Sequence, residues 1–265
     1  RRVLFRSVFG LMCGSFLNVC IYRLPAGLTI VRGHSFCPNC RHTLGMFDLI
    51  PVLSYLLLRR RCRYCSQPIS ARYMWIELLT GVYFALAAAV WRPGIVSPPY
   101  WLAALAGRSS ELQAALLLLL AGGFAFCGLL VWAMINWDGL RVPAGVYIFA
   151  ALPVLVRLLI QPPRLINHLA ALLLTLLVTL FIWLIRLLPA GLARHNIGLG
   201  IGLLLIALMG GLFAAQAVLA VVLAELLYLT VSGRRSKSRA MPAGRLWRSL
   251  PLQALFIGSI LWLFF

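Results

Sequence analysis

Apolar residues run along this chain in blocks of about twenty, separated by short polar or basic segments, and blocks of that length read as membrane-spanning helices. The first block covers about Val3 to Tyr22, broken by Arg6 near its start and by polar Ser15 and Asn18 near its end. It lacks the small-residue cleavage pattern of a secretory signal and reads as an anchor that stays. Further spans are expected at about Met74 to Trp91, Leu112 to Met134, Ala144 to Ile160 and Ile166 to Leu187. The run from Gly198 to Val231 is long for one helix, so we read it as two, hinged at Gly210 and Gly211, and the last span as Leu250 to Phe265. The predicted fold class is an all-α polytopic membrane protein of about eight transmembrane helices, both termini on the far side. Its segments are a first helix (1–22), a loop domain (23–73) and a helical domain (74–265). Within the loop, Leu49 to Leu58 is apolar but too short to span, and is expected as one buried or interfacial helix packed over a metal.

Composition sharpens that picture. Hydrophobic residues make up 63% of the 265 and charged residues 11%, so most of the surface must meet lipid. The net charge of +19 comes from 24 Lys+Arg against 5 Asp+Glu, a balance that in a soluble domain would point to nucleic acid. Here the bases lie in loops between apolar runs, so topology and anionic lipid account for them and no nucleic acid is expected as a partner. Eight arginines (23, 32, 41, 59, 60, 61, 63 and 72) stand against Asp48 alone between Arg23 and Arg72, which assigns that loop to the cytoplasm.

The loop also carries the clearest chemistry. Cys37, Cys40, Cys62 and Cys65 form two C-x2-C pairs around a 21-residue spacer, the pattern of a tetrathiolate zinc site. Two disulfides or free thiols are the competing readings, and a cytoplasmic loop favours metal. His34 and His42 flank the first pair but are left out, since four sulfurs complete a structural site. Cys13, Cys20 and Cys127 lie in apolar runs and read as buried hydrophobes.

Gly14-Ser-Phe-Leu-Asn-Val19 followed by Tyr22-Arg-Leu-Pro25 resembles the signature that ends the first helix of bacterial type IV prepilin peptidases. Asp48-Leu-Ile-Pro51 with Ser54 and Tyr55, Pro68-Ile-Ser70 with Arg72-Tyr73, Glu77-Leu78 with Thr80-Gly81, and Met241-Pro-Ala-Gly244 resemble further motifs of that family in the same order. The resemblance implies a bifunctional inner-membrane enzyme of type IV pilus or type II secretion biogenesis. It would cut prepilin or pseudopilin leaders with two intramembrane aspartates, then methylate the new N-terminal amine with S-adenosylmethionine. Asn18, Tyr22, Arg23, Asp48, Arg72 and Glu77 resemble the part linked to substrate docking and methyl transfer, though each can also be read as an interfacial anchor or ion-pair partner. An acidic rim of Asp48 and Glu77 would suit a cationic sulfonium or an amine.

Two positions depart from the family. Asn136 falls where the first catalytic aspartate belongs, with Asp138 at the nearby second acid, and Ile201 stands where the other catalytic aspartate should be. An amide cannot exchange a proton at working pH and isoleucine has no polar atom, so aspartic proteolysis is expected to be absent. Asp138 paired with Glu225 is the remaining way to a dyad; against it, Asp138 reads as an interfacial residue or a partner of Arg141. The reading is then a family member that keeps N-methyl transfer at most, or a non-catalytic pseudoenzyme that binds prepilin signal helices or assembly partners.

Overall fold

The computed structural model describes residues 2–90 and 110–160, with isolated positions beyond them. The spans expected from Ile166 onward, and with them Ile201 and Glu225, lie outside the described stretches. The chain divides into two compact units, Arg1–Trp91 and Arg92–Phe265. It is mostly helical, and a cluster of four cysteines sits in the first unit.

In the first unit α1 (Arg2–Arg23) packs lengthwise on α3 (Ala71–Val90). The contact face of α3 is Ile76, Thr80, Tyr83 and Ala87, all buried at helical spacing. Opposite it α1 presents Gly10 and Gly14, a small-x3-small pair that brings the two backbones together. A Cβ on Gly14 would stand 2.6 Å from the Glu77 Cα, and one on Gly10 would stand 2.8 Å from the Thr80 carbonyl oxygen. The outward faces are apolar too: Val8, Phe9, Met12 and Phe16 on α1, Trp75, Leu78, Val82 and Leu86 on α3 are all exposed. Helices that are apolar inside and out are expected where the surroundings are lipid.

Between these helices the chain makes little regular structure. The single helix expected from Leu49 to Leu58 is instead a 3₁₀ turn (Met46–Leu49) and a one-turn α2 (Leu53–Leu57). Pro51 is the cause: it pushes Ile50 into extended backbone (ψ 115), and Val52 follows at φ 61. Nor is the segment buried, for only Tyr55 of α2 is enclosed. α2 ends in a Schellman turn, with the Arg60 N–H on the Tyr55 carbonyl and the Arg59 N–H on that of Leu56. Arg59 occupies the left-handed position at φ 50, where glycine is at ease. Arg59→Gly is therefore expected to raise stability by about 1 kcal/mol, read as an upward shift in melting temperature. Ser70 starts α3 by accepting the Arg72 N–H on its hydroxyl at 3.3 Å.

In the second unit α4 (Ser110–Trp137) and α5 (Ala144–Ile160) form an antiparallel-sequence hairpin of long apolar helices. Leu120–Trp137 is, among the described residues, the one window long and apolar enough to cross a membrane; Ser7–Arg23 and Ala144–Val156 are shorter apolar helices. From Ala125 to Ile135 α4 is buried nearly all round. Val146, Ala150 and Val154 of α5 are buried at i, i+4 and i+8, with Ala150 against Gly128. α4 closes with Gly139 at φ 70, its N–H on the Asn136 carbonyl and the Leu140 N–H on that of Ile135.

Candidate metal centre and adjoining cavity

Each C-x2-C pair is a tight knuckle built the same way. In the first, the Cys37 N–H donates to the His42 carbonyl, the Arg41 N–H to Cys37 and the Leu44 N–H to Ser35. In the second, Cys62 donates to Gln67, Ser66 to Cys62 and Ile69 to Arg60. Every partner in the second set lies 25 positions beyond its counterpart in the first, and the bridges Phe36 with Thr43 and Arg61 with Pro68 keep the same offset. Arg41 and Ser66 hold the matching left-handed corners, φ 57 and 59. The loop is a structural repeat, and its two copies face each other through sulfur.

The four Sγ atoms lie within 4.8 Å of one another, with Cys37 and Cys65 at 3.9 Å. They make one cluster rather than two separate pairs, and could together hold a metal ion. Their protonation fits that use. The Gln67 backbone N–H and the Asn39 amide bring the Cys65 thiol down to about 6. At Cys40 the His42 backbone N–H lowers the thiol, but desolvation and the neighbouring Cys37 and Cys65 sulfurs outweigh it and push it up to about 11. Crowded sulfurs that resist shedding all their protons are stabilised when a cation joins them. His42 is not a ligand: its ring stacks on Tyr64 at 3.6 Å.

Beside the cluster a cavity of about 400 Å³ opens between the C-terminal end of α1, the two knuckles, α2 and the first turns of α3. Asn18, Tyr22, Arg23, Asp48 and Glu77 line it, with Cys37 and Cys62 in its wall; Arg72 does not. Asn18 is buried and its Nδ2 donates to the Tyr73 carbonyl at 3.1 Å, joining α1 to α3. Tyr22 meets Phe36 edge to face at 6.2 Å. Arg23 is 7% exposed, and its guanidinium donates to the carbonyls of Thr29, Arg32 and His34 at 2.9–3.0 Å. It organises the chain leaving α1.

The two acids differ. Asp48 accepts from the Arg63 Nε at 2.8 Å, the Tyr64 hydroxyl at 3.2 Å and the Gly45 N–H at 3.2 Å, tying the 3₁₀ turn to the second knuckle. Desolvation pulls its carboxyl upward, but Arg63, Gly45 and Tyr64 together hold it below the usual carboxylate range. Glu77 accepts the Val52 N–H at 2.7 Å, with the Ser15 hydroxyl beside it, and neither partner is a cation. Val52 is a β-branched residue at the centre of a γ-turn, the Leu53 N–H reaching the Pro51 carbonyl at 2.6 Å. That strained turn aims the Val52 N–H at Glu77. Of the acidic rim expected from sequence, Asp48 is paired with Arg63, whereas Glu77 meets only uncharged partners among the described residues. The γ-turn has no clear signal in the sequence; the knuckle repeat has one in the two C-x2-C pairs 25 residues apart, and the Gly10-x3-Gly14 spacing marks packing.

In the second unit Asn136 ends α4 with its amide Nδ2 on the Trp132 carbonyl at 2.8 Å. Asp138 follows at the helix terminus, its N–H on the Met134 carbonyl.

The fold and site define a helical protein with a loop of four clustered cysteines, able to hold a metal ion, set between two closely packed apolar helices. Residues 8–91 match the family model of the bacterial peptidase A24 N-terminal domain. The chain is 55% identical over 80 residues to a prepilin leader peptidase/N-methyltransferase of Myxococcus xanthus, covering 30% of this chain and 24% of that protein. It is 44% identical over 97 residues to one of Klebsiella pneumoniae, covering 34% and 42%. Over 103 residues it is 40% identical to the type 4 prepilin-like proteins leader peptide-processing enzyme of Escherichia coli, covering 32% and 38%. Over about a third of its length, then, the chain is similar to prepilin leader peptidase/N-methyltransferases. It matches less than half the length of these relatives. No solved structure matches it.

Proposed function

We propose that this chain is a multi-pass protein of the bacterial inner membrane, of about eight spans with the cysteine loop cytoplasmic, that methylates the N-terminal amine of prepilins or pseudopilins in type IV pilus or type II secretion biogenesis. The observation that carries the reading is the cavity of about 400 Å³, which lies within the family-matched residues and has the metal cluster in its wall. That volume is in the range of small-molecule sites. The metal is zinc: tetrahedral Zn–S bonds of about 2.3 Å put sulfurs about 3.8 Å apart, and the cluster has Cys37 and Cys65 at 3.9 Å. With all four positions filled by sulfur, the ion holds the loop rather than acting on substrate.

S-adenosylmethionine would supply the methyl group. Glu77, the lining acid without a cationic partner among its recorded contacts, is suited to hold the pilin ammonium or the donor's positive charge. Tyr22 and Asn18 form the α1 wall, Arg23 and Asp48 keep that wall and the second knuckle in place, and Arg72 stands outside the lining. Leader cleavage is lost, because an aspartic dyad needs two exchangeable carboxyl protons and Asn136 and Ile201 occupy its positions. At Asn136 the amide is already donated to the helix backbone. Pilus or secretion assembly proteins are the further partners of this reading.

The test uses the full chain in liposomes, a precleaved pilin peptide beginning with Phe, and a radiolabelled methyl donor. Label is expected on the wild type, falling at least about tenfold, the equivalent of 1.4 kcal/mol, with Glu77→Gln, while an uncleaved prepilin stays intact. Absence of label from zinc-loaded protein would leave the non-catalytic binding role, and cleavage lost on Asp138→Asn would restore the peptidase reading.

A further inference from the structure

We propose that the apolar face of Met46, Phe47, Leu53, Leu56 and Leu57 docks into the headgroup layer of an anionic lipid bilayer. These residues are 82%, 78%, 48%, 58% and 71% exposed. Leu53, Leu56 and Leu57 share one side of α2 at i, i+3 and i+4, and the 3₁₀ turn that carries Met46 and Phe47 packs against α2; exposed apolar residues grouped in that way mark a surface that something covers.

What covers it follows from level and charge. The Val52 N–H is bonded to Glu77 at 2.7 Å, so the start of α2 is fixed beside α3 rather than beyond its end. Glu77 lies six residues past Ala71, about 9 Å along the helix at 1.5 Å per residue. At that level Trp75 and Leu78 of α3 already face outward, Trp75 as an aromatic residue at the expected depth of a headgroup belt. A loop pinned there cannot present its apolar face far from the bilayer. Arg59, Arg60 and Arg61 follow α2 at once and all three are exposed. Apolar side chains beside consecutive arginines suit acyl chains under acidic headgroups. A second copy of the chain is a poor occupant, because a two-fold contact through this face would set one triple-arginine run near another. The inference rests on α1 and α3 crossing the membrane.

The full chain, each variant carrying a benzophenone amino acid in place of Met12, Thr43, Phe47 or Leu57 and checked for retained metal, would be irradiated in vesicles of mixed acidic and zwitterionic phospholipid. Mass spectrometry is expected to find phospholipid adducts at positions 12, 47 and 57 and none at 43. In purely zwitterionic vesicles the yield at 47 and 57 should fall several-fold while that at 12 holds. Adducts at 12 without adducts at 47 and 57, cross-links from 47 or 57 to another copy, labelling at 43 equal to 47, or yields at 47 and 57 indifferent to lipid charge would each overturn the proposal. No adduct at 12 would overturn the membrane crossing on which it rests.

Discussion

Removing the metal, by chelation or by Cys37→Ser, is expected to unfold the loop from Leu24 to Ile69 while α1 stays packed on α3. That stretch has almost no apolar core of its own. Its buried hydrophobic residues are Cys37, Tyr55 and Cys62, two of them ligands. Its regular structure amounts to one 3₁₀ turn and one turn of helix. The backbone bonds within each knuckle are local; the two halves meet through the four sulfurs, the Asn39 amide on Cys65 and the His42 ring on Tyr64, and Asp48 ties the 3₁₀ turn to Arg63 and Tyr64 of the second half. Asp48 with Arg63 is a partly exposed pair worth no more than about 1 kcal/mol, whereas structural zinc contributes apparent free energies of about 10–16 kcal/mol in small metal-folded units. Loss of the ion therefore outweighs everything else in the loop. Hydrogen exchange measures this directly: the amides of Cys37, Leu44, Cys62 and Ile69 should lose protection, and those of α3 between Ile76 and Ala87 should keep it. Knuckle amides that stay protected after complete chelation would show that the protein scaffold, not the metal, holds the repeat.

The second large effect is expected at the helix contact. Gly14→Val places its Cβ 2.6 Å from the Glu77 Cα and 3.1 Å from both the Ile76 carbonyl oxygen and the Thr80 hydroxyl. Two of these three atoms are backbone and cannot swing aside, so α1 must move outward. Movement there also strains the Asn18 bond to Tyr73 one turn on, and displaces Glu77 from the Val52 N–H. The expected cost is about 3 kcal/mol, the upper part of the ordinary range for overpacking. Gly145→Ala is the matched control, since nothing lies within 4 Å of a Cβ there. Unfolding in mixed micelles with increasing denaturing detergent should show an early transition for Gly14→Val and none for Gly145→Ala. Equal behaviour would mean that α1 and α3 are not held at backbone contact.

Much of this was readable from the chain. The apolar blocks from Val3, Met74, Leu112 and Ala144 became helices within a few residues of their expected ends, because runs of that length and composition have no other way to satisfy their backbone in an apolar setting. The C-x2-C spacing sufficed to bring the four sulfurs together, since two residues between cysteines fix a single tight turn. Leu49 to Leu58 departs from the single helix expected because Pro51 interrupts the apolar run. A helix there would need Ile50 in a conformation that the proline ring disfavours.

Residue type and spacing were therefore enough to place the helices over the described residues and to bring the four cysteines together. Those are local properties, decided by side-chain chemistry and by spacing over a turn or two. Only the tertiary structure decided that Asp48 is paired with Arg63 and accepts from Tyr64, that Arg23 is spent on three carbonyls, and that Glu77, among the described residues, is the cavity acid with no cation beside it. Charge at a site depends on which partners fold back to meet each group, and those partners come from positions up to 25 residues away in the chain.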